Sequence, residues 1–570
     1  MYILGLWDGH DSGAALIADG KILFASNEER YTGRKLEVRF PRNAIKAALD
    51  YSGVSPSEVG IVAFPTTEFT KTMSRVFPFQ KEAYYQFRRR KMLKPRLDWL
   101  MHYTKYSMTR IGVTPMCCPI SRHIVSSELR SMGFANFQTY CIDHHSAHAA
   151  TAAFTSGMKK ALVITLDGLG DGLSGSVSIL DNGTLERVRS IPARDSLGVF
   201  YEQVTNIIGM RELEDEGKVM AMADYSFPFG FGKNKFRDFF KVEGVSIKAK
   251  YGPVAQYDLL SRMAWSMPRE QFAYMAQQLV EEIVTKFVSN AVDEYGIGAV
   301  AFAGGLMSNI KANMRIRELD GVKSWYIFPH MGDGGIALGA ALHANYIYSG
   351  TSSYEFANAY LGRSYGEDDI KSALKGEKGI TFEHDTSKHS HAAELIEDDN
   401  YVMWFQGRME YGPRALGNRS ILANAASDSV KEKLNLYVKQ REWYQPFAPS
   451  MLCEEAARLL KDVKGHDRFM TMGYRIKDSA KEVMKSVIHV DNTARAQMVG
   501  DENENYQKLL SEVKRRSGHG VVLNTSFNLH GLPIVMSPKD AIRTLKDTGS
   551  RYLFLGDYFV ENSAAKGAHR

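Results

Sequence analysis

Two groups of residues in this chain have the types and spacing for chemistry. The stretch GRMEYGPRALGNRSIL, Gly407 to Leu422, places Arg414 and Arg419 five residues apart in a loop punctuated by Gly412, Pro413 and Gly417. Guanidinium forks match phosphate oxygens in pairs, and a glycine-rich turn lets backbone amides reach the same anion. Arg441 in REWYQPFAPS and Arg495 in DNTARAQ complete a set of four arginines able to converge on a small, highly charged ligand. Apolar Leu416, Ile421 and Leu422 inside the loop argue against a merely solvated surface turn. The second group is DHHSAHAATAA, in which His144 and His148 stand at i and i+4 on one helical face, the spacing that lets two imidazoles share a cation. No glutamate follows the first histidine, so the general base of a zinc protease is missing. Asp167, and Asp333 in HMGDGGIALGAAL, can add two carboxylates. Mixed nitrogen and oxygen ligands suit a first-row divalent ion, iron, manganese or zinc; the alternative is histidines satisfied by hydrogen bonds in a core.

These residues must be positioned by an α/β scaffold. YILGLWDGHDSGAALIADGKILFAS reads as strand, Asp8-Gly9 loop, strand, Asp19-Gly20 turn, strand, and ALVITLDGLGDGLSGSVSILDNGTLERV repeats the pattern with Asp167-Gly168 and Asn182-Gly183. An acidic residue ending a strand before a glycine-rich hairpin loop can hold a metal–phosphate group. An amphipathic helix over 269–295, with Phe272, Ala276, Leu279, Ile283 and Phe287 in one stripe, leads into the strand GAVAFAGG and then LMSNIKAN, so that Gly304, Gly305 and Asn309 form a nucleotide-binding strand–turn–helix. Two such hairpins and this turn resemble the actin, sugar-kinase and Hsp70 ATPase fold. From about 351 the texture turns polar, then gives the strand YVMWFQG, the arginine loop, a helix over Asp428–Gln440, the strand VVLNTSFN and the helix PKDAIRTLKDTG, a second α/β domain. Residues 70–130, with FRRRKMLKPR, read as a basic helical insertion suited to an acceptor site, a subunit contact or a solvated face.

The totals limit the alternatives. A chain of 570 residues needs more than one core, and 44% hydrophobic with 24% charged residues is ordinary for an ordered globular protein. A net charge of +6 favours anionic ligands and does not by itself indicate nucleic acid. Cys117, Cys118, Cys141 and Cys453 have no paired spacing, which points to a reducing compartment. The N-terminus lacks a basic leader, and no run reaches the roughly 20 apolar residues that span a bilayer, so a soluble, cytoplasmic protein is expected.

In order, WDGHDSGAALI, NEERYTGRK, HHSAH, LDGLGDG, EGKVMAMA, FAGGLMSN, GDGGIALGAAL, GPRALGNRSIL, QPFAPSML, DNTARAQ and LNTSFNLHGLPIV resemble the nodulation-type O-carbamoyltransferase family, whose relatives carbamoylate antibiotics such as tobramycin and cephamycin intermediates. The resemblance covers nearly the whole chain. It implies a domain over 1–350 similar to the tRNA threonylcarbamoyl transferases, a linker over 351–384 and a YrdC-like domain over 385–570. It implies that the latter converts carbamoyl phosphate and ATP, with Mg2+, into carbamoyl adenylate, and that the former, holding the metal, foremost iron(II), passes the carbamoyl group to a small-molecule hydroxyl. Arg414, Arg419, Arg441 and Arg495 then neutralise phosphate, with Asn524 and Ser526 at a strand end for the carbamoyl amide or a phosphate oxygen. His10 is the candidate general base and Lys35 its charge partner, while Asp8, Glu216 and Lys218 join Gly304, Gly305 and Asn309 at the nucleotide. Tyr444-Gln445-Pro446 departs from the family pattern, which often has an arginine before the proline. A homodimer is compatible with these readings, and membrane or nucleic-acid partners are not expected. Three rivals stand beside it: a threonylcarbamoyl-type tRNA-modifying enzyme, a noncatalytic actin-like nucleotide-binding protein, and a sugar kinase.

Overall fold

A computed structural model of the chain describes residues 1–91 and 112–565. The opening apolar segments fold as a meander. Tyr2–Trp7 pairs antiparallel with Gly13–Ala18, which pairs antiparallel with Lys21–Asn27. At the turn Asp19 (φ 49°) and Gly20 (φ 73°) both adopt left-handed backbone, as a two-residue hairpin matched to the twist of its strands requires. Val59–Pro65 then joins Tyr2–Trp7 in parallel, and Gln138–Ile142 joins Val59–Pro65 in parallel.

The second sheet repeats this plan. Lys160–Gly170, Leu173–Asp181 and Thr184–Pro192 form the meander, turning at Asn182 (φ 47°) and Gly183 (φ 91°), and Ala299–Ala303 and Ser324–Ile327 add in parallel beside Lys160–Gly170. Both sheets therefore have the spatial order third, second, first, fourth, fifth. In each half the fifth strand leads to a helix, His144–Thr155 and Ile336–Ser349. These helices lie against each other so closely that a Cβ at Gly339 would stand 2.1 Å from the Ala147 carbonyl oxygen. The two halves make the duplicated α/β architecture of actin, sugar kinases and the Hsp70 ATPase. The long helix Arg269–Tyr295 buries Phe272, Ala276, Leu279, Ile283 and Phe287 on one side and ends at Gly296, whose left-handed φ closes its last turn.

The chain divides into two compact units, Met1–Glu28 with Leu36–Phe356, and Glu29–Lys35 with Ala357–Arg570. The second is built on an eight-stranded mixed sheet in the order Ile380–His384, Tyr558–Asn562, Tyr552–Leu555, Val402–Phe405, Arg419–Asn424, Val521–Ser526, Ala448–Leu452 and Gln497–Val499. Trp404, Leu422, Tyr506, Leu509, Leu510 and Phe554 fill the core between this sheet and its helices. The stretch 351–384, read from sequence as a linker, holds the helix Glu367–Leu374 and the edge strand Ile380–His384 of this sheet. The helix expected over Asp428–Gln440 is regular only for Asp428–Lys433. It widens into a π-helix over Leu434–Lys439, and Gln440 reverses to φ 40°.

Of the basic insertion, the helices Phe69–Val76, Pro78–Arg88 and Cys117–Arg130 are described, and residues 92–111 lie outside the described residues. Arg88 and Arg89 are buried and paired with Glu202, Glu212 and Glu214, so this part is not a solvated face. Among the described residues no helix is long and apolar enough to cross a membrane.

Candidate functional site

In the first unit, Asp143 caps the helix that begins at His144 by accepting the Ser146 amide at 2.8 Å. His144 Nε2 stands 3.3 Å from Asp167 Oδ2 and 3.5 Å from Asp333 Oδ1, and His148 Nε2 stands 3.5 Å from the same Asp333 oxygen. One ligand atom from each of the four residues lies within 4.8 Å of every other. Ligand bonds of about 2.1 Å in a tetrahedral site put donor atoms roughly 3.4 Å apart, so the spacing fits one first-row divalent ion.

The surroundings orient these donors. Thr66 Oγ1 engages His144 Nδ1 at 2.8 Å, which turns Nε2 toward the carboxylates. Thr66 holds φ 66°, costly for a β-branched residue, and Asp171 fixes that turn by accepting the Thr67, Glu68 and His144 amides at 3.0, 3.0 and 2.8 Å. A Cβ at Gly170 would come within 2.3 Å of the His144 ring. Gly305 donates its amide to Asp167 Oδ1 at 2.6 Å, leaving Oδ2 for His144. Burial disfavours charge on His144, yet Asp333 and Asp167 raise its pKa to about 10: the pocket favours positive charge at the point where an ion would sit. Burial and neighbouring His144 push His145 down to about 3, and that neutral ring bonds Thr165 at 2.8 Å.

His10 lies at this pocket, its Nδ1 3.4 Å from Asp333 Oδ2 and its ring stacked on Tyr85 at 5.6 Å. Burial lowers its pKa against the pull of Asp333, which keeps the imidazole in its basic form. Gly304 needs glycine, for φ is 101° and a Cβ would meet the Leu166 carbonyl at 2.1 Å. Asn309 caps the helix Ile310–Arg317 and exchanges hydrogen bonds with Gln277 at 2.9 and 3.0 Å. Lys218 pairs with Asp215 at 3.1 Å. Asp8, expected at the nucleotide, has its carboxylate engaged by Arg75 and Lys71 instead.

Glu216 accepts the Leu213 amide at 2.7 Å, and burial, reinforced by Glu202, raises its carboxyl to about 8. An unfolded glutamate ionises near pH 4.5, so between there and about 8 only the unfolded chain releases this proton, and stability falls as pH rises through that window. Glu216→Gln keeps the acceptor oxygen. It is expected to remove this part of the slope, so that its unfolding midpoint gains on the unsubstituted protein from pH 5 to 8, read by thermal melts at matched pH.

In the second unit, Glu410 organises the arginine loop: its Oε1 accepts the amides of Leu416, Asn418 and Arg419 at 2.9, 2.9 and 3.0 Å. Gly417 holds φ 103° against Tyr506, whose ring a Cβ would approach to 2.2 Å. Arg414 and Arg441 both act electrostatically on Arg495, whose pKa burial and these two neighbours push well below the usual arginine range. Burial lowers Arg414 and Arg441 to about 10. Arg441 is supported by Asn435 at 2.9 Å and by the Phe447 ring at 4.0 Å, while Arg495 Nε has no hydrogen-bond partner among the described residues. Asp467, held by the Phe469 and Thr471 amides, is the acidic neighbour of Arg495.

Arg419, expected in the clamp, faces elsewhere. It is wholly buried, donates to the Gln406, Gly407 and Asn418 carbonyls, and lies 3.6 Å over the Phe405 ring. Arg419→Ala is expected to cost about 3–5 kcal/mol, the loss of a large buried side chain with charge-assisted hydrogen bonds, seen as a lowered unfolding midpoint.

Lys439 replaces it in the cluster. Buried at the end of the π-helix, it contacts Ser526 Oγ at 3.2 Å and Asn528 Oδ1 at 2.8 Å, and burial with Arg441 and Lys35 drives its pKa well below the usual lysine range. Lys35, expected beside His10, thus belongs to the second unit and acts on Lys439. Asn524 donates to Ser450 at 2.8 Å and Ala415 O at 3.2 Å, next to the arginine loop, with its Oδ1 unpartnered among the described residues. Sequence reading missed Lys439 and Asn528 and gave no role to Glu410, the glutamate just before the two arginines; the available signal was that Lys439 stands two residues before Arg441 and Asn528 two after Ser526.

A duplicated actin-like unit with a histidine–carboxylate pocket is thus followed by an α/β unit that gathers cations. Residues 2–342 match the family described as carbamoyltransferase N-terminus, and residues 393–562 the family described as carbamoyltransferase C-terminus. The chain belongs to the carbamoyltransferase family and is a transferase. It is 34% identical to an uncharacterized protein of Methanocaldococcus jannaschii over 74% of this chain and 73% of that one. It is 30% identical to nodulation protein NolNO of Sinorhizobium fredii over 98% and 79%, and 29% identical to 3'-hydroxymethylcephem-O-carbamoyltransferase of Streptomyces clavuligerus over 66% and 72%. Among solved structures, full-length HypF in a phosphate- and nucleotide-bound form aligns at 15% identity and a TM-score of 0.34, over 62% of this chain and 56% of that one; the fold assignment rests on the strand order.

Proposed function

We propose that this chain is an ATP-dependent O-carbamoyltransferase that makes carbamoyl adenylate in a YrdC-like second unit and delivers the carbamoyl group to a small-molecule hydroxyl in the first. The observation that supports this reading is the group formed by buried Lys439 with partly buried Arg414, Arg441 and Arg495, four cations whose acidic neighbours are Asp467 and Glu442 alone among the groups acting on them. Such a cluster suits a ligand with several negative charges, here carbamoyl phosphate and the phosphates of ATP. In the first half-reaction carbamoyl phosphate and water give carbamate and phosphate, and carbamate displaces pyrophosphate from ATP. Lys439 and the arginines hold the departing charge, and Asn524 Oδ1 accepts from the carbamoyl amide.

In the second half-reaction the acceptor oxygen attacks the carbamoyl carbon, the mixed-anhydride bond breaks, and AMP leaves. His10 takes the hydroxyl proton, and Tyr85 and Asp333 hold its ring. His144, His148, Asp167 and Asp333 are the residues that would hold the divalent ion, iron(II) foremost, which supplies positive charge for the adenylate phosphate. Gly304, Gly305 and Asn309, with Glu216 and Lys218, shape the nucleotide side. The test is incubation of the full chain with carbamoyl phosphate, ATP and Mg2+, assayed for pyrophosphate and AMP. Release of ADP without pyrophosphate would instead make the protein a kinase.

A further inference from the structure

The loop at Asp8 carries a charge imbalance. Arg75 Nε and Nη2 each reach the Asp8 carboxylate at 2.9 Å, Lys71 Nζ reaches it at 2.9 Å, and Lys81 Nζ donates to the Asp8 carbonyl oxygen at 2.9 Å. Lys71, Arg75 and Lys81 are only 7, 6 and 8% exposed. Burial alone would raise the Asp8 carboxyl; Arg75 and Lys71 hold it well below the usual carboxylate range. Glu37 and Glu82 also act on Lys81, but Glu82 is partly exposed and already engaged by Arg39 at 3.3 Å. Counting buried Glu37, three buried cations meet two buried carboxylates.

Lys71 bears the deficit. Its charge partner is the carboxylate that Arg75 already grips with two nitrogens, its ammonium has no well-directed hydrogen bond among the described residues, and it lies 4.2 Å from the Trp7 ring centre. Burial pushes its pKa down to about 7 against the pull of Asp8. An ammonium that shares its carboxylate partner with the two nitrogens of Arg75 leaves the charge balance open to one further anion.

The same cations border the transfer pocket. Trp7, beneath Lys71, meets His144 edge-on at 6.0 Å and donates its indole N–H to the His10 carbonyl at 2.8 Å. Lys81 stands one helical turn before Tyr85, which stacks on His10.

We propose that Lys71, with Lys81, forms a subsite for an anionic oxygen group, a carboxylate or a phosphate, on the hydroxyl acceptor, so that the acceptor is an acidic alcohol such as a sugar acid or sugar phosphate. This rests on the carbamoyl-transfer reading above. The experiment separates pooled cell metabolites by ion exchange into acidic, neutral and cationic fractions. Each is incubated with the full-length protein, carbamoyl phosphate, ATP and metal, and products gaining one carbamoyl group are sought by mass spectrometry. Product in the acidic fraction is expected, and prior phosphatase treatment of that fraction distinguishes phosphate, whose product disappears, from carboxylate, whose product persists. Lys71→Met, with Lys81→Met as a second variant, is expected to raise KM for that acceptor roughly 10- to 100-fold with kcat little changed. Product confined to the neutral or cationic fraction, no product in the acidic one, or an unchanged KM in both variants overturns the inference. Acceptor-independent release of pyrophosphate, run in parallel, separates this failure from failure of the carbamoyl-transfer reading itself.

Discussion

Arg495→Ala is expected to lower carbamoyl phosphate-dependent release of pyrophosphate from ATP by at least about 100-fold, the scale set by removing one preorganised charge-stabilising donor, while transfer from presupplied carbamoyl adenylate continues. Arg495 is the cation on which Arg414 and Arg441 converge, and its Nε has no hydrogen-bond partner among the described residues. Its loss also relieves repulsion within the cluster. The variant is therefore expected to melt no lower than the unsubstituted protein, which distinguishes a ligand-binding arginine from a structural one such as Arg419. Full pyrophosphate release from Arg495→Ala, or a large drop in its melting temperature, would remove it from the donor site.

His144→Ala is expected to show the opposite division. Removing one of four donor side chains costs metal occupancy, measured by elemental analysis of the purified protein, and reduces carbamoyl transfer by about 100-fold or more, while AMP-forming activation in the second unit is retained. The pocket packs Gly170 directly against the imidazole, so the smaller side chain opens space without a clash. Metal content equal to that of the unsubstituted protein would exclude His144 as a ligand.

What could be read from the sequence follows from how locally each feature is encoded. The Asp19-Gly20 and Asn182-Gly183 turns and the stripe on Arg269–Tyr295 are set by neighbours within a few residues, and the structure has them where turn chemistry and helical period put them. His144 and His148 share a helix face by spacing alone, and the end of the strand Lys160–Gly170 and the glycine-rich turn at Asp333 bring the two carboxylates to them. Long-range choices were hidden. Arg414 and Arg419 look alike in GPRALGNR, but Arg419 begins a buried strand whose carbonyl neighbours consume its guanidinium. Lys439 was obscured because the helix widens just before it, shifting the face it presents from that of a regular helix. Asp8 reads as a phosphate-loop carboxylate until Lys71 and Arg75, more than sixty residues later, take both its oxygens.

The excursion of Glu29–Lys35 into the second unit has a consequence for how this protein is made. Arg30 donates to the Gly412 carbonyl at 2.8 Å across 382 positions of chain, and Lys35 contributes to the field at Lys439. During synthesis that segment leaves the ribosome long before the loop it supports exists, so the second unit is finished only after the C-terminal half has emerged. A gene split between the two units would hand the C-terminal product an arginine loop short of its N-terminal strap, which ties the second unit to one continuous translation product.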